Sequence, residues 1–287
     1  MLYDTAADWR GAAHKRVLLF GMSGLGKTRL ASLLRETGDW FHYSVDYRIG
    51  TRYMGEHIAD LFKREAMQVP VLRELLMSDS ISIESKIRFH NLAPLSTYLG
   101  KPGDPAKGGL PFDEYMRRQE EHRAAEIAAM QDTARFIERG EAIYGYPHFI
   151  CDSSGSFCEV VDPWDPEDPL LRQLEESLLL VWIEGTEAHT EALIRRFDRA
   201  PKPMYYQPEF LRERWAAYLA ETGLAEDRVD PDAFVRWAYA QALAHRAPRY
   251  RALAARGVTV QADEVARVAD AADFEALIAR ALETRGE

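Results

Sequence analysis

The stretch GMSGLGKT, residues 21 to 28, lies between the apolar run VLLF and the amphipathic RLASLLRET, and it constrains the fold more than any other feature of the chain. Val17 to Phe20 has the continuous apolarity of a central strand covered on both faces. The helix behind it carries Leu30, Leu33 and Leu34 on one face and meets its stop at Gly38. Between the two, the glycines let the backbone curl until successive N–H groups converge, and a helix beginning at Lys27 adds the positive end of its dipole. Such a turn faces an anion. FHYSV, residues 41 to 45, reads as a second strand ending at Asp46, so strand, turn, helix and strand require a parallel sheet with a right-handed crossover.

The next hundred residues change period. Ile58, Leu61 and Phe62, then Leu72, Leu75 and Leu76, then Ile127, Met130, Ala134 and Ile137 repeat as helix faces do. Within this stretch LGKPGDPAKGGLPF, residues 99 to 112, is interrupted by glycine and proline, which predicts a mobile loop. Sheet pattern returns at HFIC, residues 148 to 151, ending at Asp152. LLLVWIEG, residues 178 to 185, reads as a fourth strand, a helix follows from about Glu187 to Arg199, and GVTVQA, residues 257 to 262, offers a fifth strand before a last helix, DFEALIARAL. The expected architecture is an α/β three-layer domain with about five parallel strands and a large helical insertion after strand two. Its parts are a core over 1–50, the insertion over 51–147, and the second part of the core, with further helices, over 148–287.

A formal net charge of -10 argues against nonspecific nucleic-acid binding and against attraction to anionic membranes. The expected partners are small molecules or proteins. Neither a signal peptide nor an apolar span of the roughly 18 residues a membrane helix needs is evident, so the expected location is the cytoplasm. Cys151 and Cys158 lack metal or disulfide spacing and read as buried thiols at a strand end.

The opening stretch fits G-x-x-x-x-G-K-[ST] through Gly21, Gly26, Lys27 and Thr28. Lys27 suits the β- and γ-phosphates of a nucleotide, and the Thr28 hydroxyl suits Mg²⁺. The sequence thereby resembles the P-loop NTPases, whose Walker A motif is GMSGLGKT here, and the resemblance implies the P-loop fold with ATP and Mg²⁺ as ligands. It assigns nucleotide binding to Gly21, Ser23, Gly24, Leu25, Gly26, Lys27, Thr28 and Arg29. FICD then resembles a short Walker B, with Asp152 joining Thr28 in the Mg²⁺ shell if strand three lies beside strand one.

Within that superfamily the branches separate by motif. DSSG, residues 152 to 155, matches the D-x-x-G of GTPases, but no [NT]-K-x-D occurs to read guanine, and no LSGGQ-like segment occurs either. The arrangement is similar to the small-molecule kinases: shikimate kinases, nucleoside monophosphate kinases and zeta-toxin-like kinases. That similarity implies an acceptor site in the insertion after strand two and an arginine-bearing lid after strand four. It implies a catalytic set of Lys27, Asp46, Arg195, Arg196 and Arg199, with Asp46 accepting the hydrogen bond of the attacking hydroxyl and the arginines binding the transferring phosphoryl group. Glu191, four residues before Arg195, also makes an ordinary surface pair possible. Arg48 and Arg52 could grip an anionic acceptor, and Lys101 and Lys107 could close over phosphate. His42, His57 and His90 show no metal spacing, and Trp215, Trp237 and Tyr239 read as core. Two functions fit: phosphoryl transfer from ATP to a small-molecule hydroxyl or phosphate, or a nucleotide-gated regulatory ATPase whose insertion binds a protein.

Overall fold

The computed structural model describes residues 2–286, which form two compact units. The first comprises residues 1–45, 126–201 and 236–287, the second 46–125 and 202–235.

The first unit contains one sheet of five parallel strands: β1 (Arg16–Phe20), β2 (Trp40–Ser44), β3 (His148–Asp152), β4 (Leu179–Glu184) and β5 (Val258–Gln261), in the order β2-β3-β1-β4-β5. The chain is α/β, and the sheet fits the P-loop fold. Everything assigned between β2 and β3 is helical apart from isolated bridges, which is the large insertion after strand two. From Val17 to Phe20 β1 is apolar because both faces are covered. Val17 and Leu19 enter a cluster with Leu30 and Leu34 of helix Lys27–Glu36 and with Phe274 and Ile278 of helix Ala271–Glu283. Phe20 faces the other way, edge-on to Phe157 at 6.0 Å and stacked with Tyr250 at 6.4 Å. The three layers follow from this alternation.

Leaving β1 the chain crosses toward β2, and leaving β4 it crosses toward β5. The carboxyl ends of β1 and β4 therefore flank a topological switch point, where open α/β sheets bind ligands. Helix Lys27–Glu36 is anchored there by Leu30, Ala31 and Leu34, each fully buried. A leucine withdrawn from water contributes about 2 kcal/mol, so the position of this helix, and of the turn that opens it, is set by its apolar face.

The second unit is helical. Its later segment is tied to its earlier one: Phe112 stacks on Trp215 at 4.9 Å, Trp215 meets Phe234 edge-on, the Gln119 amide donates to the Met204 carbonyl at 3.1 Å, and the Tyr206 N–H donates to Gln119 at 2.9 Å. His122 is buried against Tyr205, and desolvation pushes its pKa down to about 4.

The segment 99–112, expected to be mobile, is a closed turn. Gly103 N–H donates to Leu110 O at 2.9 Å, Leu110 N–H to Lys101 O at 2.8 Å, and Asp104 N–H to Val229 O at 2.8 Å. Lys107 pairs with Asp230 at 3.1 Å, and Lys101 with Asp232. Glycine and proline exclude long helix and strand here, and they leave room for the 3-10 turn Pro105–Lys107 and for hydrogen bonds whose partners come from a distant part of the sequence. Among the described residues no helix is long and apolar enough to cross a membrane.

Candidate functional site

The glycine turn leaves β1 through three glycines with left-handed φ, Gly21 at 137°, Gly24 at 93° and Gly26 at 97°. Side chains disfavour these angles, and at Gly21 a Cβ would stand 2.6 Å from the Ile183 carbonyl of β4. Gly26 caps helix Lys27–Glu36 without a side chain, whereas Asp168, Thr186 and Asp270 cap their helices with side-chain acceptors. As a result the N–H groups of Ser23, Gly24, Leu25 and Gly26 find no acceptor among the described residues. Donors crowded at a helix N-terminus, with no partner among the described residues, form a candidate anion cradle.

Lys27 is buried and lies across this turn, its Nζ donating to the carbonyls of Gly21 at 2.7 Å and Met22 at 3.1 Å. Thr28 is half-buried in the first helical turn. Arg29 turns elsewhere: its guanidinium donates to the carbonyls of Val265 and Val268, both at 3.3 Å.

β3 lies beside β1, with Asp152 paired in register with Leu19 on one side and with Ser44 of β2 on the other. The Asp152 carboxylate is buried, and the equally buried His42 places Nε2 3.7 Å from it. The neighbouring Cys151 thiol is pushed well up by burial and by the Asp152 charge. Among the described residues no cluster of three or more His, Cys, Asp or Glu side chains could hold a metal by itself. A hydroxyl and a carboxylate are nonetheless hard oxygen donors that suit a cation shared with phosphate, as magnesium is.

The three arginines expected together are not placed alike. All lie on helix Glu187–Arg199. Arg195 is exposed and donates to Glu191 at 3.1 Å, and Arg199 folds back on the Arg195 carbonyl at 3.2 Å. Arg196 lies over the glycine turn, since a Cβ added at Gly24 would stand 2.8 Å from its Nη2. One guanidinium of the three meets the cradle.

In the second unit Asp46 belongs to the short helix Val45–Arg48, which continues into the π-helical turn Ile49–Tyr53 and so brings Asp46, Arg48 and Arg52 onto one irregular stretch. Arg48 stacks over Tyr53 at 5.6 Å. π-Helical turns interrupt regular helices at a cost in stability and recur at functional sites. His57 lies 3.7 Å from Glu121.

Two features were absent from the sequence reading. A cavity of about 270 Å³ opens beside the glycine turn, lined among others by Met22, Leu25, Trp182, Gly185, Thr190 and Tyr250. The exit of β3 is also held by Glu126, which is fully buried. The signal for Glu126 was present, a single carboxylate in the otherwise apolar AAEIAAM.

No family model matches this chain, and no curated protein matches it either. Among solved structures the chain is similar to a shikimate kinase from Bacteroides thetaiotaomicron, at 16% sequence identity and a TM-score of 0.40, over 95% of this chain and 99% of that one. A likeness at that level carries no chemistry with it, so the site rests on its own residues.

Proposed function

We propose that this protein is an ATP- and Mg²⁺-dependent phosphotransferase that moves a phosphoryl group to a hydroxyl or phosphate of a small molecule. The observation that carries the reading is the turn 21–28: three left-handed glycines, four unbonded N–H donors, and a buried lysine laid across them. Gly21, Ser23, Gly24, Leu25, Gly26 and Lys27 line the phosphates. Arg29 adds its place in the first helical turn, its guanidinium being occupied at Val265 and Val268.

Thr28 and Asp152 would hold Mg²⁺, whose charge would draw electron density from the phosphoryl oxygens. Lys27 exchanges its bonds to the Gly21 and Met22 carbonyls for phosphate oxygens. Arg196 supplies the guanidinium that meets charge as it builds on the transferring group, while Arg195 and Arg199 contribute field rather than contact. Asp46 takes the hydrogen bond, and then the proton, of the attacking hydroxyl, with Arg48 and Arg52 holding an anionic part of the acceptor. Phosphoryl transfer needs little covalent help, so positioning and charge neutralisation supply most of the rate. The helices of the second unit would house the acceptor.

A regulatory ATPase is the second reading, and one observation favours it. Helix Pro70–Met77 buries none of its residues and exposes Val71 and Met77 at 60% and 72%, an apolar surface that a protein could cover. Measuring ATP turnover with Mg²⁺, with and without a metabolite extract, separates the two. Acceptor-dependent ADP release with a new phosphorylated product is the expected result. Turnover indifferent to metabolites and altered by a protein fraction would replace the first reading with the second.

A further inference from the structure

The four residues that follow Asp152 are each held in place. Ser153 Oγ donates to the Leu19 carbonyl of β1 at 2.8 Å. Ser156 Oγ donates to one carboxylate oxygen of Glu126 at 2.7 Å, and Ser154 Oγ donates to the other. The Tyr250 hydroxyl donates to the Gly155 carbonyl at 2.6 Å. Between the two serines, Gly155 is pressed against the glycine turn so closely that a Cβ there would stand 2.4 Å from Ser23 Oγ. A side chain there would turn the Ser23 hydroxyl aside and crowd the Ser23 backbone nitrogen, 3.3 Å from that Cβ.

Glu126 is fully buried, which is rare for a glutamate unless its oxygens are bonded. Its two serine partners flank Gly155, which lies against Ser23 of the turn. We propose that Glu126 is a positioning residue, locking the exit of β3 against the glycine turn so that Asp152 and the anion-facing N–H groups form one rigid piece. The inference rests on the reading of that turn as the nucleotide site. Its physical content is preorganisation: donors and carboxylate that are already fixed need not reorganise as charge develops. Glu126 touches neither reacting group; its bonds to Ser154 and Ser156 are the ones that reach the exit of β3.

Glu126→Gln keeps the side chain's shape and removes one acceptor oxygen. Ser154→Ala with Ser156→Ala removes the donors from the opposite side and carries the same test should Glu126→Gln fail to fold. Hydrogen exchange on the full chain without nucleotide is the first readout. Exchange should quicken about tenfold over 153–157 and, with it, at the Leu30 N–H, which closes the glycine turn by donating to the Gly26 carbonyl at 2.9 Å. Loosening confined to 153–157 would overturn the interlock. With MgATP, kcat for ATP hydrolysis should fall about tenfold in either variant while ADP affinity changes less than about twofold. Adding Glu126→Gln to the double variant should slow kcat by less than the same substitution slows the wild-type chain, because the carboxylate reaches the loop through the two serines. Parallel losses in kcat and ADP affinity, or additive losses in the triple variant, would overturn the positioning role. Should the wild-type chain bind neither ADP nor ATP, the nucleotide reading fails, and the exchange experiment still reports whether the two loops are coupled.

Discussion

The turn 21–28 and the segment 99–112 are both rich in glycine and both carry lysine, yet they are built to opposite ends. In 99–112 the backbone donors are bonded, Gly103 to Leu110, Asp104 to Val229 and Gly109 to Asp104, and its lysines are matched by Asp230 and Asp232. In 21–28 the N–H groups of Ser23 to Gly26 make no hydrogen bond among the described residues, and Lys27 rests on carbonyls that a phosphate could displace. Glycine content therefore does not distinguish a binding loop from a structural one. What distinguishes them is whether the loop's polar groups already have partners, since only donors without an internal acceptor gain by meeting a ligand.

Charge removal should break this comparison most strongly. Lys27→Ala should lower MgATP affinity about a hundredfold or more in calorimetry, because it removes the charge we propose for the phosphates. Lys101→Ala and Lys107→Ala should leave that affinity within about twofold. A large loss from either of the latter would return segment 99–112 to the site.

The next largest effect concerns the glycines themselves, read as thermal stability. Gly21→Ala puts a Cβ 2.6 Å from the Ile183 carbonyl at a φ of 137° and should cost more than about 2 kcal/mol. Gly108→Ala, at a φ of 78° with open space around it, should cost about 1 kcal/mol from backbone strain alone. Equal losses would mean that the close approach of β4 places no demand on the turn.

The arginines sharpen the picture at the level of turnover. Arg196→Ala should reduce kcat about a hundredfold, while Arg195→Ala and Arg199→Ala stay within about twofold, since only Arg196 overlies Gly24. Three similar losses would show that the whole helix closes on the substrate.

The smallest expected effect is one of pH. Asp230 titrates below the usual carboxylate range, chiefly because the Ala233 N–H donates to it and then because of Lys107. A carboxylate whose folded pKa is depressed contributes its stabilisation fully above its unfolded pKa of about 4 and loses it as pH falls through the folded value. Acidification below about pH 4 should thus lower the protection factors over 99–112, measured against the intrinsic exchange rate at each pH, and Asp230→Asn should show that lowered protection already at neutral pH. A profile identical in the two proteins would remove Asp230 as the clasp.

Much of this architecture can be read from residue order. The run VLLF, the turn after it and the helix with Leu30 and Leu34 on one face define a strand–turn–helix unit, because apolar period and glycine placement are local properties of the chain. The helix Glu187–Arg199 has the extent expected of it for the same reason, reinforced by a Thr186 cap. The order of Gly, Lys and Thr marks the turn as a candidate anion site, since the left-handed glycines and the start of the helix are local features of the chain. Long-range placement decided the rest. Sequence could not say which of Arg195, Arg196 and Arg199 overlies Gly24, because that depends on the rotation of a helix packed through Leu193 and Phe197. Nor could it show that Glu126 reaches Ser154 and Ser156, that Asp230 and Asp232 neutralise the lysines of 99–112, or that residues 202–235 belong with the helical unit. Local pattern fixes what a segment is. The packing of segments far apart in the chain fixes which polar groups are already bonded, and that determines where a ligand can still bind.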